Sequence, residues 1–380
     1  MADSFHWRRP VFKFGTSTLT GGTAQLSLGR LADLVEQVAT VQMAGAQPIV
    51  VSSGAITVGR QRLGSPRDRK DVSFRQILAA VGQSRLMHLY DEFFEFHGIT
   101  SAQVLVTRAD LAERQRYLNA RNTLLGLCAR GVIPIVNEND VVASEEIKVG
   151  DNDTLSALVA NLVDADLLVL VSDTPGLYTA DPLVDDGAQL VHEVVSITPQ
   201  VEAYASGSSS GLGTGGMSTK VSAAKLATSS GTEVRIVDGG EPNVIVRVLR
   251  GESIGTRFLA ASDRMESRKR WILSGLSHSG KLMVDAGAAR AVQKAGASLL
   301  PAGIVDVQGA FERGDSVDIV APDGNTVARG ITNYDWNDVR KLLGRQSLEI
   351  EDMLGYTYGS YIVHRDDLVR YNRQEQVTHA

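Results

Sequence analysis

Sulfur is scarce: the 380 residues hold one cysteine, Cys128. A lone thiol in the apolar helical pattern LLGLCARG excludes a disulfide scaffold and a cysteine zinc site, and it fits a reducing compartment. Long apolar runs are missing as well. A membrane helix needs about 18 consecutive apolar residues, whereas Leu167–Val171 and Val132–Val136 have the length of buried strands. Near the start, Arg8 and Arg9 precede an apolar stretch that Lys13 interrupts, so no signal peptide is expected and a cytoplasmic location is. Excess positive charge is also absent. Against 38 Lys and Arg stand 44 Asp and Glu, a net charge of −6, which gives no global attraction to nucleic acid. From Ser277 onward 11 Lys and Arg face 14 Asp and Glu, so this part alone is −3. The dense basic run Arg268-Lys269-Arg270 reads as a solvated linker.

What is present is an alternation. Short β-rich runs (Val11–Phe14, Pro48–Val51, Ala102–Val106, Val132–Val136, Leu167–Val171, Glu233–Val237) alternate with amphipathic stretches such as Leu28–Ala44, Phe74–Phe96 and Asn119–Arg130. That pattern predicts an α/β fold: a mostly parallel central sheet sandwiched by helices, with ligands bound where loops leave the carboxyl ends of strands. The length suggests two domains. Beyond a charged, then Ser/Gly-containing segment the texture changes to short strand patterns: Lys281–Val284, Gly303–Gln308, Ser316–Val320, Thr326–Gly330 and Ser360–Val363. These predict a small β-rich domain with one or two helices. The expected division is 1–262, a linker at 263–278, a second domain at 279–372 and a tail at 373–380.

The strand ends carry the chemistry. Lys13, followed by Phe14-Gly15-Thr16-Ser17, either projects a cation into a pocket walled by backbone amides or reaches solvent from an edge strand. Ser52-Ser53-Gly54-Ala55 opens a helix, so it either binds an anion on free N–H groups or is plain serine capping. Asn137-Glu138-Asn139-Asp140 and Gly150-Asp151-Asn152-Asp153 flank one segment. Their acceptors suit a substrate ammonium, a cation or the orientation of lysines, and equally Asx turns with an Asp cap. Asp173 follows Ser172 at the end of a strand, a plausible nucleotide contact or only a turn.

Gly211, Gly213 and Gly216 match G-x-G-x-x-G, with Asp238 closing a later strand. A nicotinamide-dependent oxidoreductase is therefore one reading, but a dinucleotide fold needs a strand before the glycines, and Tyr204–Ser210 reads as a loop. A Walker A loop is excluded because Lys220 does not directly follow a glycine. What remains is a glycine-rich lid opening a helix over Ser218–Ser229, with Lys220 in its first turn. Two lysine-bearing phosphate-type loops, two acidic clusters and no catalytic histidine point to phosphoryl transfer, which is mostly positioning and charge neutralisation. A carboxylate acceptor, with a pKa of about 4.3, is already ionised at pH 7 and needs no base.

The motifs FKFGTS, VVSSGAI, NENDVV with EIKVGDND, DTPGLYTADP and SGLGTGGMSTK together resemble the amino acid kinase family. The resemblance extends over essentially the whole chain, whose last third is similar to a PUA domain. It implies the amino acid kinase fold and an ATP-dependent phosphotransferase with a carboxyl acceptor. Mg²⁺ would be carried on the ATP phosphates, with no protein ligand assigned. GLGTGGMSTK followed by a PUA-like tail fits L-glutamate as acceptor better than aspartate, acetylglutamate, carbamate or UMP. The product would be L-glutamyl 5-phosphate, on the way to proline.

Carried over by residue, Lys13 and Lys220 would stabilise the moving phosphoryl group and Asp153 would hold both lysines. ATP would meet Lys13, Gly15, Ser172, Asp173 and the loop Thr214, Gly215, Gly216, Met217, Ser218, Thr219 and Lys220. Ser172 stands where the family commonly has threonine. Gly15 and Thr16 would also help cradle the substrate side with Ser53 and Gly54, while Asp140 and Asn152 bind the acceptor. The resemblance further implies proline inhibition at an overlapping site, a homodimer or homotetramer, and hand-off of the labile product to a glutamyl-phosphate reductase. PUA domains elsewhere bind RNA. The −3 count opposes that here, leaving a PUA-led RNA-binding protein as a rival and a structural or regulatory role as the expectation.

Overall fold

The computed structural model describes residues 5–64, 71–143, 152–206, 216–260 and 280–371. The linker expected at 263–278, with its basic run, and the tail at 373–380 lie outside them. In chain order to Phe258 the elements are β1 (Pro10–Phe14), α1 (Thr16–Thr20), α2 (Leu28–Met43), β2 (Ile49–Ser52), α3 (Ala55–Arg62), α4 (Val72–Glu95), β3 (Ser101–Val106), α5 (Arg108–Ala112), α6 (Arg114–Ala129) and β4 (Ile133–Glu138). They continue with α7 (Asn152–Leu162), β5 (Leu167–Ser172), β6 (Glu193–Val194), α8 (Pro199–Ser206), α9 (Met217–Ser229), β7 (Glu233–Asp238), α10 (Val244–Leu249) and β8 (Thr256–Phe258). The chain divides into two compact units, one running to Arg264 and one from Met265, which also takes Arg114–Leu118.

In the first unit the strands form one sheet in the order β3-β4-β2-β1-β5-β7-β8-β6. From β3 to β7 every neighbour is parallel; β8 runs antiparallel to β7. The inner strands are near-continuous apolar runs because helices cover both faces: all residues of β1, β2, β4 and β5 are buried. β1 is therefore an interior strand, with Lys13 opposite Val51 on one side and Leu170 on the other. The edge-strand reading of Lys13 is overturned. The sequence pattern located the six long strands. It missed β6 and β8, which are too short to show a period.

Two packing details aim the loops at the carboxyl edge. Asp166 takes the backbone N–H groups of Arg8 and Arg9 at 2.6 and 2.9 Å, fixing the start of β1. Helices α3 and α4 pack backbone to backbone, since a Cβ on Gly59 would overlap the carbonyl of Leu78 and one on Gly82 the carbonyl of Ala55. Only glycine permits that approach, and it sets where α3 begins, immediately after β2.

The second unit carries β9 (Gly280–Val284), α11 (Ala286–Ala295), β10 (Ile304–Gly309), β11 (Ser316–Val320), β12 (Thr326–Thr332), α12 (Trp336–Lys341), α13 (Ile350–Leu354) and β13 (Val363–Arg370). Its sheet order is β10-β9-β11-β12-β13. A core of Leu282, Val317, Ile319, Ala328, Val339 and Ile362 fills it, together with Tyr334, whose hydroxyl is satisfied by Gly359 O. The last strand begins at Val363, where the expected one ended. His364-Arg365-Asp366-Asp367 hides its alternation, although Val363, Asp367 and Val369 are its buried positions.

Placing a methyl group in the α3–α4 crossing is expected to overpack it. Gly82→Ala should destabilise the first unit by about 1–3 kcal/mol. Gly126→Ala, on α6, meets only Arg130 Nη1 at 3.5 Å and should stabilise by about 0.5–1 kcal/mol. Chemical denaturation of the two variants checks the contrast.

Candidate active site

A buried carboxylate between two ammonium groups forms the centre of the site. Asp153 lies in the first turn of α7, where the helix dipole favours negative charge. Its Oδ1 is 2.7 Å from Lys13 Nζ and its Oδ2 is 3.5 Å from Lys220 Nζ. Thr219 Oγ1 donates to the same Oδ2 at 2.7 Å. Exposures of 6%, 1% and 7% for Lys13, Asp153 and Lys220 leave little room for solvent screening. Burial alone would raise the Asp153 carboxyl, but Lys13 and Lys220 outweigh it and bring the pKa down to about 2. Burial lowers the Lys220 ammonium, and the charge of Asp153 opposes that loss. The carboxylate therefore stays ionised and keeps two cations together that would otherwise repel.

Around this triad, helices open on glycine. Gly15 caps α1, Gly54 caps α3 and Gly216 caps α9, each without a side-chain hydrogen bond to the helix. By contrast, Ser27 caps α2, Asp71 caps α4 and Thr107 with Asp110 forms a capping box on α5. The bland reading of Ser52-Ser53 as N-caps fails. Gly54 is the cap, at φ +100°, a conformation L residues rarely adopt. Ser52 Oγ instead shares a 2.8 Å hydrogen bond with Tyr90 OH, and Ser53 Oγ accepts from Asn152 Nδ2 at 3.0 Å. First-turn N–H groups left bare beside two ammoniums suit the oxygens of a polyphosphate. A side chain on Gly15 would stand 3.4 Å from Lys13 Nζ, in the space such an oxygen would use.

The other side of the triad is lined by amides and carboxyls. Asn152 Nδ2 lies within range of Ser52 O at 2.9 Å and of Ser53 Oγ and Asn137 Oδ1 at 3.0 Å. Asn137 Nδ2 donates in turn to Gln83 Oε1 on α4 at 2.8 Å. Asn152 Oδ1 is buried and makes no hydrogen bond, an acceptor open to an N–H donor. Nearby, burial and then the charge of Glu138 push the Asp140 carboxyl up to about 6, with Arg75 pulling the other way.

The structure thus brings together Lys13, Gly15, Ser53, Gly54, Asn152, Asp153 and the α9 start (Gly216, Met217, Ser218, Thr219, Lys220) at the carboxyl edge of the sheet. Ser172 ends β5 and donates to Asp173 Oδ1 at 3.1 Å, and the Asp173 charge reaches Lys220. Thr214, Gly215, Gly211, Gly213 and Asp151 lie outside the described residues. Sequence reasoning missed the α4 contribution. Gln76, Gln83 and Tyr90 recur every seven residues on that helix, and Gln76 Nε2 donates to Ala143 O at 3.4 Å. Polar residues repeating along one stripe were the available signal.

Residues 8–238 match the model of the amino acid kinase family. The chain belongs to that family. Residues 280–354 match the PUA domain, the β-rich sheet described above. A glutamate 5-kinase of Deinococcus radiodurans is 54% identical over 361 residues, covering 95% of this chain and 99% of the relative. One from Herpetosiphon aurantiacus is 53% identical over 363 residues, covering 96% and 98%. A third, from Dehalococcoides mccartyi strain CBDB1, is 49% identical over 366 residues with the same coverage. Amino acid kinase family membership and the interior, ion-paired Lys13 remove the dinucleotide-binding alternative. No helix among the described residues is long and apolar enough to cross a membrane.

The two shifted carboxyls should affect stability with opposite signs. Asp153 is held below its unfolded value, so it stabilises the fold above about pH 4 and that contribution fades as pH falls towards 2. Asp140 is held above its unfolded value, so stability is lost as pH rises from about 4 to about 6 and the loss is complete above that. Asp153→Asn is expected to lose about 3–5 kcal/mol at pH 7, because two buried ammoniums lose their counter-ion. Asp140→Asn is expected to gain about 1–2 kcal/mol at pH 8 and nothing at pH 4. Chemical denaturation at these pH values measures both.

Proposed function

We propose that this chain transfers the γ-phosphoryl group of ATP to the γ-carboxylate of L-glutamate, giving L-glutamyl 5-phosphate and ADP. The observation that carries the reading is the Lys13–Asp153–Lys220 cluster beside glycine-opened helices, in a chain 54% identical to a glutamate 5-kinase along nearly its whole length. ATP would lie over the α9 start, Gly15 and the Ser172-Asp173 strand end. Uncapped N–H groups and two buried ammoniums fit its phosphates. Mg²⁺ would travel on those phosphates and neutralise part of their charge. Glutamate would lie on the Ser53-Gly54, Asn152 and Asp140 side, its ammonium accepted by Asn152 Oδ1 and the carboxyls of Asp140 and Glu138.

The chemistry asks little of a proton carrier. The acceptor carboxylate is already ionised, so no base is needed to start the attack. Charge moves onto the equatorial oxygens of the transferring group and then onto ADP. Two ammoniums fixed by one carboxylate can meet that charge without reorganising, which is where catalysis of phosphoryl transfer chiefly arises. Thr219 and Asp153 hold Lys220 in the first turn of α9, so ordering of that turn by ATP and alignment of the ammonium are one event.

The same reading extends to a catalytic domain at 1–262 and a PUA domain at 279–372. It includes a cytoplasmic enzyme of proline biosynthesis, a homodimer or homotetramer, inhibition by proline at the glutamate pocket and hand-off to a glutamyl-phosphate reductase. A panel of acceptors with ATP and Mg²⁺, trapping acyl phosphate with hydroxylamine, tests it. Hydroxamate should form with L-glutamate and fall when proline is added. Lys220→Ala should lower kcat by about 10²–10³-fold, since the lost interaction grows in the transition state. Turnover with aspartate or acetylglutamate but not glutamate would overturn the substrate, and an effect of Lys220→Ala confined to KM would overturn the role of that lysine.

A further inference from the structure

We infer that Arg75 binds the α-carboxylate of the acceptor, so that the pocket selects an amino acid by both of its α-charges; this rests on the glutamate reading above. The placement comes from two ties of α4, one to the end of β4 and one to the segment that follows it. Asn137 is tied to Gln83 at 2.8 Å, and Ala143 O to Gln76 at 3.4 Å. Asp140 lies between those ties, so it faces the first turns of α4, where Arg75 directly precedes Gln76. Arg75 is close enough for its charge to oppose the burial of the Asp140 carboxyl, yet the two form no ion pair. Among the described residues the Arg75 guanidinium makes no hydrogen bond or ion pair, and its Nε is buried without a partner.

A guanidinium with a buried, unused donor is expensive to leave so, and a planar carboxylate is the group whose two oxygens match its fork. Charge balance leads to the same place. Asp140 brings a negative charge, and an α-carboxylate entering beside it would be repelled. Arg75 supplies the cation on that side, while Lys13 and Lys220 are already committed to Asp153. With the substrate ammonium on Asp140 and Asn152 Oδ1, and its α-carboxylate on Arg75, each α-charge of the ligand meets a protein group of the opposite sign. The γ-carboxylate is then left pointing towards the lysine cluster. Such an arrangement rejects a dicarboxylate lacking the ammonium and an amine lacking the α-carboxylate for separate reasons.

The test compares L-glutamate with L-isoglutamine, whose α-carboxamide is neutral but whose ammonium and γ-carboxylate are unchanged. The wild-type chain should prefer L-glutamate by about 100-fold in kcat/KM, the ratio expected for a charge-assisted, bidentate contact. Arg75→Gln should lower kcat/KM for L-glutamate by about the same factor, through KM, while isoglutamine changes by less than about threefold. Arg75→Lys, which keeps the charge without the fork, should fall between. Equal losses for both acceptors would make Arg75 a structural support for Asp140 and overturn the inference. So would an unchanged preference, which would assign the carboxylate to the bare N–H groups of α3. A thermal midpoint close to wild type for Arg75→Lys separates these results from misfolding. If the wild-type chain shows no glutamate-dependent turnover, the glutamate reading itself fails. If it turns over glutamate and Arg75→Gln keeps the preference, only the role of Arg75 fails.

Discussion

Two buried ammonium groups can share a site only because one buried carboxylate lies between them. Asp153, 1% exposed, is 2.7 Å from one and 3.5 Å from the other. Each member alone would be costly to bury; together they exchange desolvation for close Coulomb attraction. Three separate parts of the chain depend on this compromise. Lys13 comes from the central strand, Asp153 from the first turn of α7 and Lys220 from the first turn of α9. The parallel sheet brings these points to one edge, because every βα loop of its inner strands leaves at the carboxyl end.

The glycines turn that edge into an anion site. Helices α2, α4 and α5 start with serine, aspartate and a threonine capping box, whereas α1, α3 and α9 start on Gly15, Gly54 and Gly216 and leave their amides free for a ligand. The start of α3 is further fixed by the glycine-to-backbone crossing with α4. That crossing lets α4 deliver Gln83 and Tyr90 to the carboxyl ends of β4 and β2. Packing and binding therefore share residues on α4, which carries the crossing on one face and the amide network on another.

Much of this could be read from the residues. The apolar runs marked the inner strands because strands buried on both faces have little else in them, and the motifs stood at the strand ends where an α/β sheet binds ligands. Lys13 remained ambiguous, since a lysine in an apolar run is compatible with an edge. Only the pairing of β1 with both β2 and β5 decides it. Ser52 and Ser53 looked like helix caps because serine caps are common; the αL geometry of Gly54 and the bonds to Tyr90 and Asn152 are tertiary facts with no local signature. The polar stripe of α4 marked a face that includes Gln83, but nothing local showed what that face or Arg75 would meet. Gln83 and Arg75 lie some 55 to 80 residues from Asn137 and Asn152 in the chain, and their meeting depends on how α4 packs.

If Asp153 makes the two lysines one unit, they should not act independently on the rate. A double-mutant cycle in single-turnover phosphoryl transfer, with Lys13→Ala, Lys220→Ala and the double variant, measures this directly. The account predicts that the double variant is scarcely slower than the worse single variant, because removing either ammonium already leaves Asp153 mispaired and the other lysine misplaced. Losses that multiply, with the double variant slower by the product of the two single effects, would contradict it.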